Sequence, residues 1–178
     1  RASFHKPSNK KFDIIINPEM SFGTGHHETT RLMAKDLFKH DLKNKTILDF
    51  GSGTAILSIL AEKLGADEVH ALEIDEKVNK NAVNNLSINN CKIIQLINGD
   101  GDSIPNKKYD FLLVNINRNT IVKEFANFSR AMKKNSIVLF SGFFESDIDY
   151  IKDLSIESGL KILYSDLENQ WALLVMKK

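Results

Sequence analysis

Short hydrophobic runs alternate along this chain with longer stretches in which apolar residues recur at helical spacing. The run Thr46–Phe50 leads into a glycine, and apolar residues follow at helical offsets, namely Ile56, Ile59, Leu60 and Leu64. A short run that is apolar almost throughout indicates a buried strand, whereas an apolar residue at every third or fourth position indicates a helix packed on one face. The pattern therefore predicts a strand, a loop and a helix in that order.

The same alternation continues to the end of the chain. Two further helices are predicted between strands: one with Val78, Ala82 and Leu86 on a shared face and Asp75 as its N-cap, and one over Ser146–Ser158. A third predicted helix has its apolar face marked by Ile121, Phe125, Phe128 and Met132. Further strands are predicted at Val69–Ile74, Ile93–Ile97, Phe111–Ile116 and Ile137–Phe140, with two more around the turn LENQW.

Strands separated by helices at this spacing predict one α/β domain with a mainly parallel sheet covered on both faces. The first helix of the chain is predicted to pack through one face and to carry Thr30 in its first turn. That face consists of Thr30, Met33, Ala34, Leu37 and Phe38.

Composition and charge narrow the range of partners. The chain has 178 residues, of which 42% are hydrophobic and 26% charged, so it is long enough to bury one sizeable core. A formal charge of +1 gives no general electrostatic reason to expect direct nucleic-acid binding. The single cysteine, Cys91, excludes an internal disulfide and fits a reducing compartment. No apolar run approaches membrane-spanning length, and a cytoplasmic protein without membrane association is expected.

The carboxyl end of the first strand is the expected ligand site of such a sheet. It reads LDFGSGTAIL, in which Gly51 and Gly53 let the backbone turn sharply and approach a ligand. A dinucleotide fingerprint requires a third small residue where Ile56 stands, and Asp49 would repel phosphate but attract an ammonium or sulfonium group. Glu73 ends the second strand, where a ribose-binding acid is expected. These residues predict a nucleoside that carries positive charge.

Two features at this end of the sheet can each be explained without a bound cofactor. A glycine pair after a strand is by itself often a plain turn, and it indicates a cofactor only together with Asp49 and Glu73. Asp100, after the third strand, either accepts a hydrogen bond from an adenine amino group or stabilises its own turn.

The chain resembles a known family over nearly its whole length. The stretches NPEMSFGTGHHETTRL, LDFGSGTAILSILAEKLGA, ALEIDEKVNKNAVNN and LLVNINRN are similar to the catalytic domain of the PrmA family, which methylates large-subunit ribosomal protein eleven. The resemblance implies a Rossmann-like class I fold with a mainly parallel seven-stranded sheet and an antiparallel last strand. It also implies S-adenosylmethionine as cofactor, with contacts at Thr30, Gly51, Glu73 and Asn115.

The sequence departs from the family pattern at two cofactor-loop positions and in its extent. Ala55 stands where a third glycine is usual, and Glu73 stands where aspartate is commoner. The family also carries an amino-terminal substrate-recognition domain that is absent from this chain. Residues 1–11 are interpreted as the remnant of a linker to that domain, and residues 12–178 as the methyltransferase catalytic domain.

The polar loop MSFGTGHHETT precedes the first helix. Phe22–Gly25 is expected to form a lip over the methionine end of the cofactor, with Thr24 as a polar contact. His26 and His27 do not have a metal-ligand spacing with Glu28, so no metal is expected. Helix capping, packing and substrate orientation remain for the two histidines, and His26 is taken as a candidate for orienting the substrate.

The proposed methyl acceptor is an aliphatic amine. Asn115 ends the fourth strand in VNIN, which lacks the Pro-Pro-aromatic form common in methyltransferases of planar nitrogens. Asn115 is therefore a candidate for orienting a lysine side chain or an N-terminal amine, or else it only caps the next helix. The alternatives for the whole chain are a methyltransferase of another protein, RNA or a small molecule, and a non-catalytic cofactor-binding domain.

Overall fold

The computed structural model describes residues 12–17 and 26–178. A single seven-stranded sheet runs through it in the order β3-β2-β1-β4-β5-β7-β6. Five neighbouring strands pair in parallel, while β7 pairs antiparallel with β5 and with β6. The strands are β1 (Thr46–Phe50), β2 (Glu68–Glu73), β3 (Ile94–Asn98), β4 (Tyr109–Asn115), β5 (Met132–Phe144), β6 (Lys161–Glu168) and β7 (Trp171–Lys177). The predicted mainly parallel sheet with an antiparallel last strand is confirmed.

The described residues form five α-helices that cover both faces of the sheet: α1 precedes β1, and the other four connect strands. They are α1 (Glu28–Leu37), α2 (Ile56–Lys63), α3 (Glu76–Ile88), α4 (Arg118–Ala131) and α5 (Ile148–Glu157). None of the helices in the described ranges is both long and apolar enough to cross a membrane.

Alternating side chains of each central strand belong to two separate hydrophobic cores, one on each face of the sheet. Leu48 of β1 packs with α4 and α5, whereas its neighbour Ile47 packs with α1 and α2. Both side chains are fully buried. Because successive side chains of a strand point to opposite faces, one apolar strand serves two helical layers, which is why these strands are apolar almost throughout.

The last two strands form a hairpin with a two-residue turn. Asn169 and Gln170 both have positive φ angles, of 49° and 70°. This backbone matches the twist of an antiparallel hairpin, and asparagine is among the residues that adopt it most readily. The hairpin inserts β7 between β5 and β6, so the first residue of β7, Trp171, lies at the edge where the parallel strands end.

Three details of the helices differ from the sequence predictions. Phe38, expected on the packed face of α1, lies just past its end and is 54% exposed, with its ring beside that of Phe12. Met132, expected on α4, begins β5, which is longer than predicted. The face of α3 expected to be apolar buries only Ala82 fully, since the buried positions beside it are asparagines. Hydrophobic periodicity detects only apolar faces. It misses this face of α3, because its asparagines are buried by hydrogen bonds to backbone groups of residues 12–17.

Candidate functional site

A cavity of about 740 Å³ lies at the carboxyl ends of β1, β2 and β4, beside the residues that follow β3. Its size is within the range of small-molecule sites. The chain order of the strands reverses between β1 and β4, which is where ligands bind in open α/β sheets. The described residues that line the cavity include Thr30, Asp49, Gly51, Gly53, Glu73, Asp100 and Asn115, so the structure brings together every candidate cofactor residue that it describes.

The glycine loop is held tightly against β2. The backbone N–H groups of Gly51 and Ser52 both donate to the carbonyl of Leu72, at 2.8 and 3.0 Å. Gly51 has a φ of 71°, and a Cβ at this position would collide with the Ile116 side chain. Glycine is therefore required there by both backbone conformation and space.

Glu73 lies at the end of β2 and is partly exposed to the cavity. One carboxylate oxygen accepts the N–H of Gly53 at 3.1 Å, and the other accepts the N–H of Asp75 at 3.0 Å. Each oxygen retains acceptor capacity, because a carboxylate offers about four acceptor positions. Glu73 thus fixes the glycine loop and can still accept hydrogen bonds from two ligand hydroxyls.

Asp49 is the most deeply buried acid of the cavity, with 1% of its surface exposed. Burial raises the pKa of its carboxyl to about 6, the hydrogen bonds from Ser58 act against that rise, and the charge of Glu73 adds to it. The Ser58 hydroxyl donates to Asp49 at 2.5 Å. A buried carboxylate beside a second acid is stabilised by a cationic ligand, because the ligand supplies the missing counter-charge.

The charged side chains around the cavity are mostly acidic. Among the described lining residues five are acidic and one, Lys123, is a lysine, which pairs with Glu124 at 3.3 Å. Such a surface attracts cations and repels phosphate groups. It therefore disfavours a dinucleotide and favours a positively charged nucleoside. The five acids are Asp49, Glu73, Asp75, Asp100 and Glu124.

Asn115 and Thr30 meet at the end of β4. The Asn115 amide nitrogen lies 3.5 Å from the Thr30 hydroxyl, and Thr30 is almost fully buried in the first turn of α1. The amide oxygen of Asn115 is buried and has no hydrogen-bond partner within the part of the chain described. The next helix is capped by Asn117 instead, whose side chain accepts the N–H of Thr120 at 3.0 Å. The capping explanation for Asn115 was therefore wrong, and its oxygen is a buried acceptor beside the cavity.

Asp100 has the turn-stabilising role that the sequence left open. Its side chain accepts the N–H of Asp102 at 3.2 Å and caps the 3₁₀ turn Gly101–Ser103. It also lines the cavity. A carboxylate can do both, so the position is compatible with a further contact to an adenine amino group.

The two adjacent histidines have different surroundings. His27 is the N-cap of α1, where its ring accepts the N–H of Thr29 at 3.3 Å, and it lines the cavity. His26 is exposed, and its backbone carbonyl accepts a hydrogen bond from Arg31. Helix capping is thus the role of His27, whereas the candidate for substrate orientation, His26, lies outside the described lining of the cavity.

Several expectations fall on residues that the structure does not describe. They are the linker over residues 1–11, the lip at Phe22–Gly25 and the contact from Thr24. Within residues 12–17 and 26–178, no group of three His, Cys, Asp or Glu side chains lies close enough together to hold a metal ion.

These observations can be compared with known proteins. Residues 2–178 match the model of the family described as ribosomal protein L11 methyltransferase (PrmA). The chain belongs to this family. Among its relatives, the ribosomal protein L11 methyltransferase of Phocaeicola vulgatus is 37% identical over 173 residues, which make up 96% of this chain and 62% of that protein. The chain thus spans less than two thirds of the length of the curated PrmA relatives it matches first.

Solved structures agree with the PrmA assignment. The ribosomal protein L11 methylase of Lactobacillus delbrueckii subsp. bulgaricus superposes with a TM-score of 0.89 at 25% identity, covering 97% of this chain and 89% of that chain. TYW2 of M. jannaschii, solved in complex with AdoMet, has a TM-score of 0.68 at 15% identity, covering 85% and 75% of the two chains. At that identity the likeness shows only that both have the class I methyltransferase fold.

Sequence reasoning missed two features of this PrmA site. Trp171, the single tryptophan of the chain, lines the cavity with His27 at its ring edge and Phe144 packed on it, at centroid distances of 4.7 and 4.2 Å. Ile74, directly after Glu73, also lines the cavity although 70% of its surface is exposed. The strand order could have located Trp171, because an antiparallel β7 must begin where the parallel strands end. An apolar side chain directly after the acid expected to bind ribose was a signal for Ile74.

Proposed function

We propose that this chain is the catalytic unit of an S-adenosylmethionine-dependent protein methyltransferase that modifies amine groups of ribosomal protein L11. The observation that carries the proposal is the acidic cavity at the β1–β4 switch point, which combines Glu73 and Asn115 in a member of the PrmA family. The amines are a lysine side chain, the N-terminal amine or both. The relatives named for this activity are longer, and we propose that their additional length recognises the substrate.

The residues around the cavity fit the cofactor from end to end. Glu73 is proposed to accept the ribose hydroxyls, and the exposed Ile74 beside it to be covered by the adenine ring. Asp49 is proposed to balance the positive charge of the ligand, while Gly51 and Gly53 allow its close approach. Thr30 and Asn115 lie at the opposite side of the loop, where the methionine part is expected. When bound, S-adenosylmethionine supplies a methyl group already activated by a positive sulfur.

The chain then has to present a neutral amine. A lysine amine has a reference pKa of about 10.4, so its deprotonation at pH 7 costs roughly 4 to 5 kcal/mol. The aromatic wall formed by Trp171 and His27, with Phe144 packed on Trp171, would exclude water and favour the neutral form. The unpartnered oxygen of Asn115 would accept an N–H of the amine and hold its lone pair towards the cofactor. Such alignment can supply roughly 7 to 11 kcal/mol of the barrier reduction.

The test is methyl transfer from radiolabelled S-adenosylmethionine to purified ribosomal protein L11, with the modified amines located by mass spectrometry. We expect label in L11 and about a hundredfold slower transfer by Asn115→Ala, with the dissociation constant of the cofactor measured alongside so that loss of a methionine contact is separated from loss of the acceptor for the amine. The matched control is Asn119→Ala, on the exposed first turn of α4. Label in ribosomal RNA but not in L11 would contradict the substrate, and cofactor binding without transfer to either would indicate a binding domain.

A further inference from the structure

The glycine loop contains one residue whose backbone conformation needs support. Ala55, directly before α2, has φ 63° and ψ 22°, in the left-handed region, and its side chain is fully buried. A residue with a Cβ is disfavoured there, whereas glycine adopts this conformation readily. A non-glycine residue stays in such a conformation only where surrounding contacts hold it. The loop must therefore be fixed from outside at this point.

A buried asparagine of α3 supplies that contact. The side-chain amide of Asn85 donates to the carbonyl of Thr54 at 3.1 Å, and this carbonyl belongs to the peptide that precedes Ala55. Asn85 itself is fully buried. Its amide oxygen accepts the backbone N–H of Asn17 at 3.0 Å, which fixes the orientation of the amide group. One side chain thus ties the segment 12–17 to the glycine loop.

The next asparagine on the same face, the α3 C-cap Asn89, holds the same segment through both the oxygen and the nitrogen of its side-chain amide. Asn89 accepts the N–H of Ile15 at 2.9 Å, and its amide nitrogen donates to the carbonyl of Ile15. It also bonds to the backbone of Asn85 within α3. Asn85 and Asn89 therefore share the task of anchoring residues 12–17, and they differ in the hydrogen bond to Thr54.

We propose that Asn85 is a positioning residue of the cofactor site, which holds the left-handed turn at Ala55 and thereby the approach of Gly53 and the start of α2 to the ligand. Asn85 is absent from the residues that line the cavity within the described chain, so it acts through the loop and not by touching the cofactor. This inference rests on the proposed function, because it assumes that S-adenosylmethionine binds at this loop. It explains how the chain retains the loop geometry with alanine at a positive φ, a conformation that favours glycine.

The test compares cofactor affinity in four variants of the 178-residue chain, by calorimetry and by the fluorescence of the single tryptophan, Trp171. Asn85→Ala should weaken S-adenosylhomocysteine binding about tenfold, as expected for loss of one buried hydrogen bond. Asn89→Ala is the matched control, which loosens residues 12–17 and should change affinity less than about twofold while lowering the melting temperature. Asn85→Ser, whose shorter hydroxyl withdraws the donor from Thr54, is measured alongside in case Asn85→Ala does not fold.

The decisive variant combines Ala55→Gly with Asn85→Ala. Glycine removes the need for support at a positive φ, so the double variant should recover affinity to within about threefold of the unaltered chain. A purely structural role for Asn85 would leave the loss of affinity in place. Equal losses in the Asn85 and Asn89 variants, or no recovery in the double variant, would overturn the positioning role. Absence of binding by the unaltered chain would instead overturn the proposed function, and this inference with it.

Discussion

Asp49 and Glu73 are neighbouring acids of the cavity in opposite electrostatic situations. Glu73 accepts two backbone N–H groups and is partly exposed, whereas Asp49 is removed from water and receives its hydrogen bonds from Ser58. A ligand hydroxyl therefore meets a carboxylate already fixed in position, and a ligand cation meets one that lacks a counter-charge. The two acids should therefore respond differently to mutation.

Replacement of Glu73 by alanine should weaken S-adenosylmethionine binding by roughly 2 to 3 kcal/mol, as expected for charge-assisted hydrogen bonds. Because Glu73 also holds the N–H of Gly53, the melting temperature is measured in parallel to separate loss of the ligand contact from loosening of the loop. Glu76→Ala is the matched control, since Glu76 forms an exposed ion pair with Lys80 and its side chain is 72% exposed. An unchanged dissociation constant of S-adenosylmethionine in Glu73→Ala would show that Glu73 does not bind the cofactor.

The pKa of Asp49 predicts how pH affects both stability and binding. Burial raises this pKa from 3.8 to about 6, so the folded chain binds more protons than the unfolded chain between these values. Its contribution to stability is therefore fully present below about pH 4 and is lost as pH rises to about 6. A cationic ligand favours the ionised carboxylate, so its binding should strengthen over the upper part of the same range.

We expect the dissociation constant of S-adenosylmethionine to fall up to about tenfold between pH 5 and pH 7, because only the ionised fraction of Asp49 would bind well. The measurement is calorimetry in buffers of different ionisation enthalpy, which also detects the proton released on binding. Asp49→Asn should remove most of the pH dependence and the proton release. A pH profile that Asp49→Asn leaves unaltered would mean that another group controls binding.

At the scale of elements, apolar pattern was sufficient where strands and helices bury apolar side chains. The predicted bounds of β1 agree with the structure, and Asp75 caps α3 as expected, accepting N–H groups of Lys77 and Val78. The pattern failed where burial is polar, because Asn85 and Asn89 are buried by binding the backbone of residues 12–17, which no periodicity reveals. The acids and glycines of the site could be identified from their positions after predicted strands. The contact between Thr30 and Asn115 could not be predicted in this way, because it depends on how α1 packs against the sheet.

The docking of α1, which carries Thr30, depends on a buried acid. Asp36 is fully buried and accepts hydrogen bonds from Tyr164 of β6 and from His40, each at 2.9 Å, and pairs with Lys39 at 3.0 Å. Burial acts to raise the pKa of Asp36, but these three partners outweigh it and hold the pKa below its usual value. α1 is thereby fixed to the far edge of the sheet by a polar contact.

Removal of the Tyr164 hydroxyl should therefore destabilise the fold without touching the cavity. Tyr164→Phe is expected to lower the free energy of unfolding by about 1 to 2 kcal/mol, measured by urea denaturation at pH 7. Tyr150→Phe is the matched control, because Tyr150 is 56% exposed and its ring can still lie beside the Arg118 guanidinium, whose centre is 5.8 Å from the ring centroid. Equal stability of the two variants would show that the Asp36 contact contributes no net stability.

At the scale of the whole molecule, the residues proposed to bind the cofactor and those proposed to surround the amine occupy different parts of the cavity. The proposed cofactor contacts lie at the ends of β1, β2 and β4, all within one chain of 178 residues. The aromatic wall around Trp171 belongs to the hairpin side, where β7 begins. Cofactor binding is thus expected of this chain by itself, whereas recognition of a folded protein is expected to use surface beyond the cavity, because a stable protein–protein interface buries roughly 800 Å² on each partner.

Substrate recognition by the longer relatives gives the last prediction. Binding energy from parts of a substrate remote from the reacting amine is used to orient that amine, so loss of a recognition region should lower turnover as well as affinity. The Phocaeicola vulgatus relative, of which this chain matches 62%, allows a direct comparison in three forms: complete, cut to the matching residues, and this chain. We expect similar S-adenosylmethionine affinity in all three, but a kcat/KM for ribosomal protein L11 at least about a hundredfold higher in the complete relative. A short peptide carrying one lysine serves as the control substrate, because it offers no remote contacts and should be methylated equally slowly by all three. Equal kcat/KM on the intact protein would show that the matched region recognises ribosomal protein L11 through the rim of its own cavity, with the surface around Trp171 and Phe144 as the first place to look for the contact.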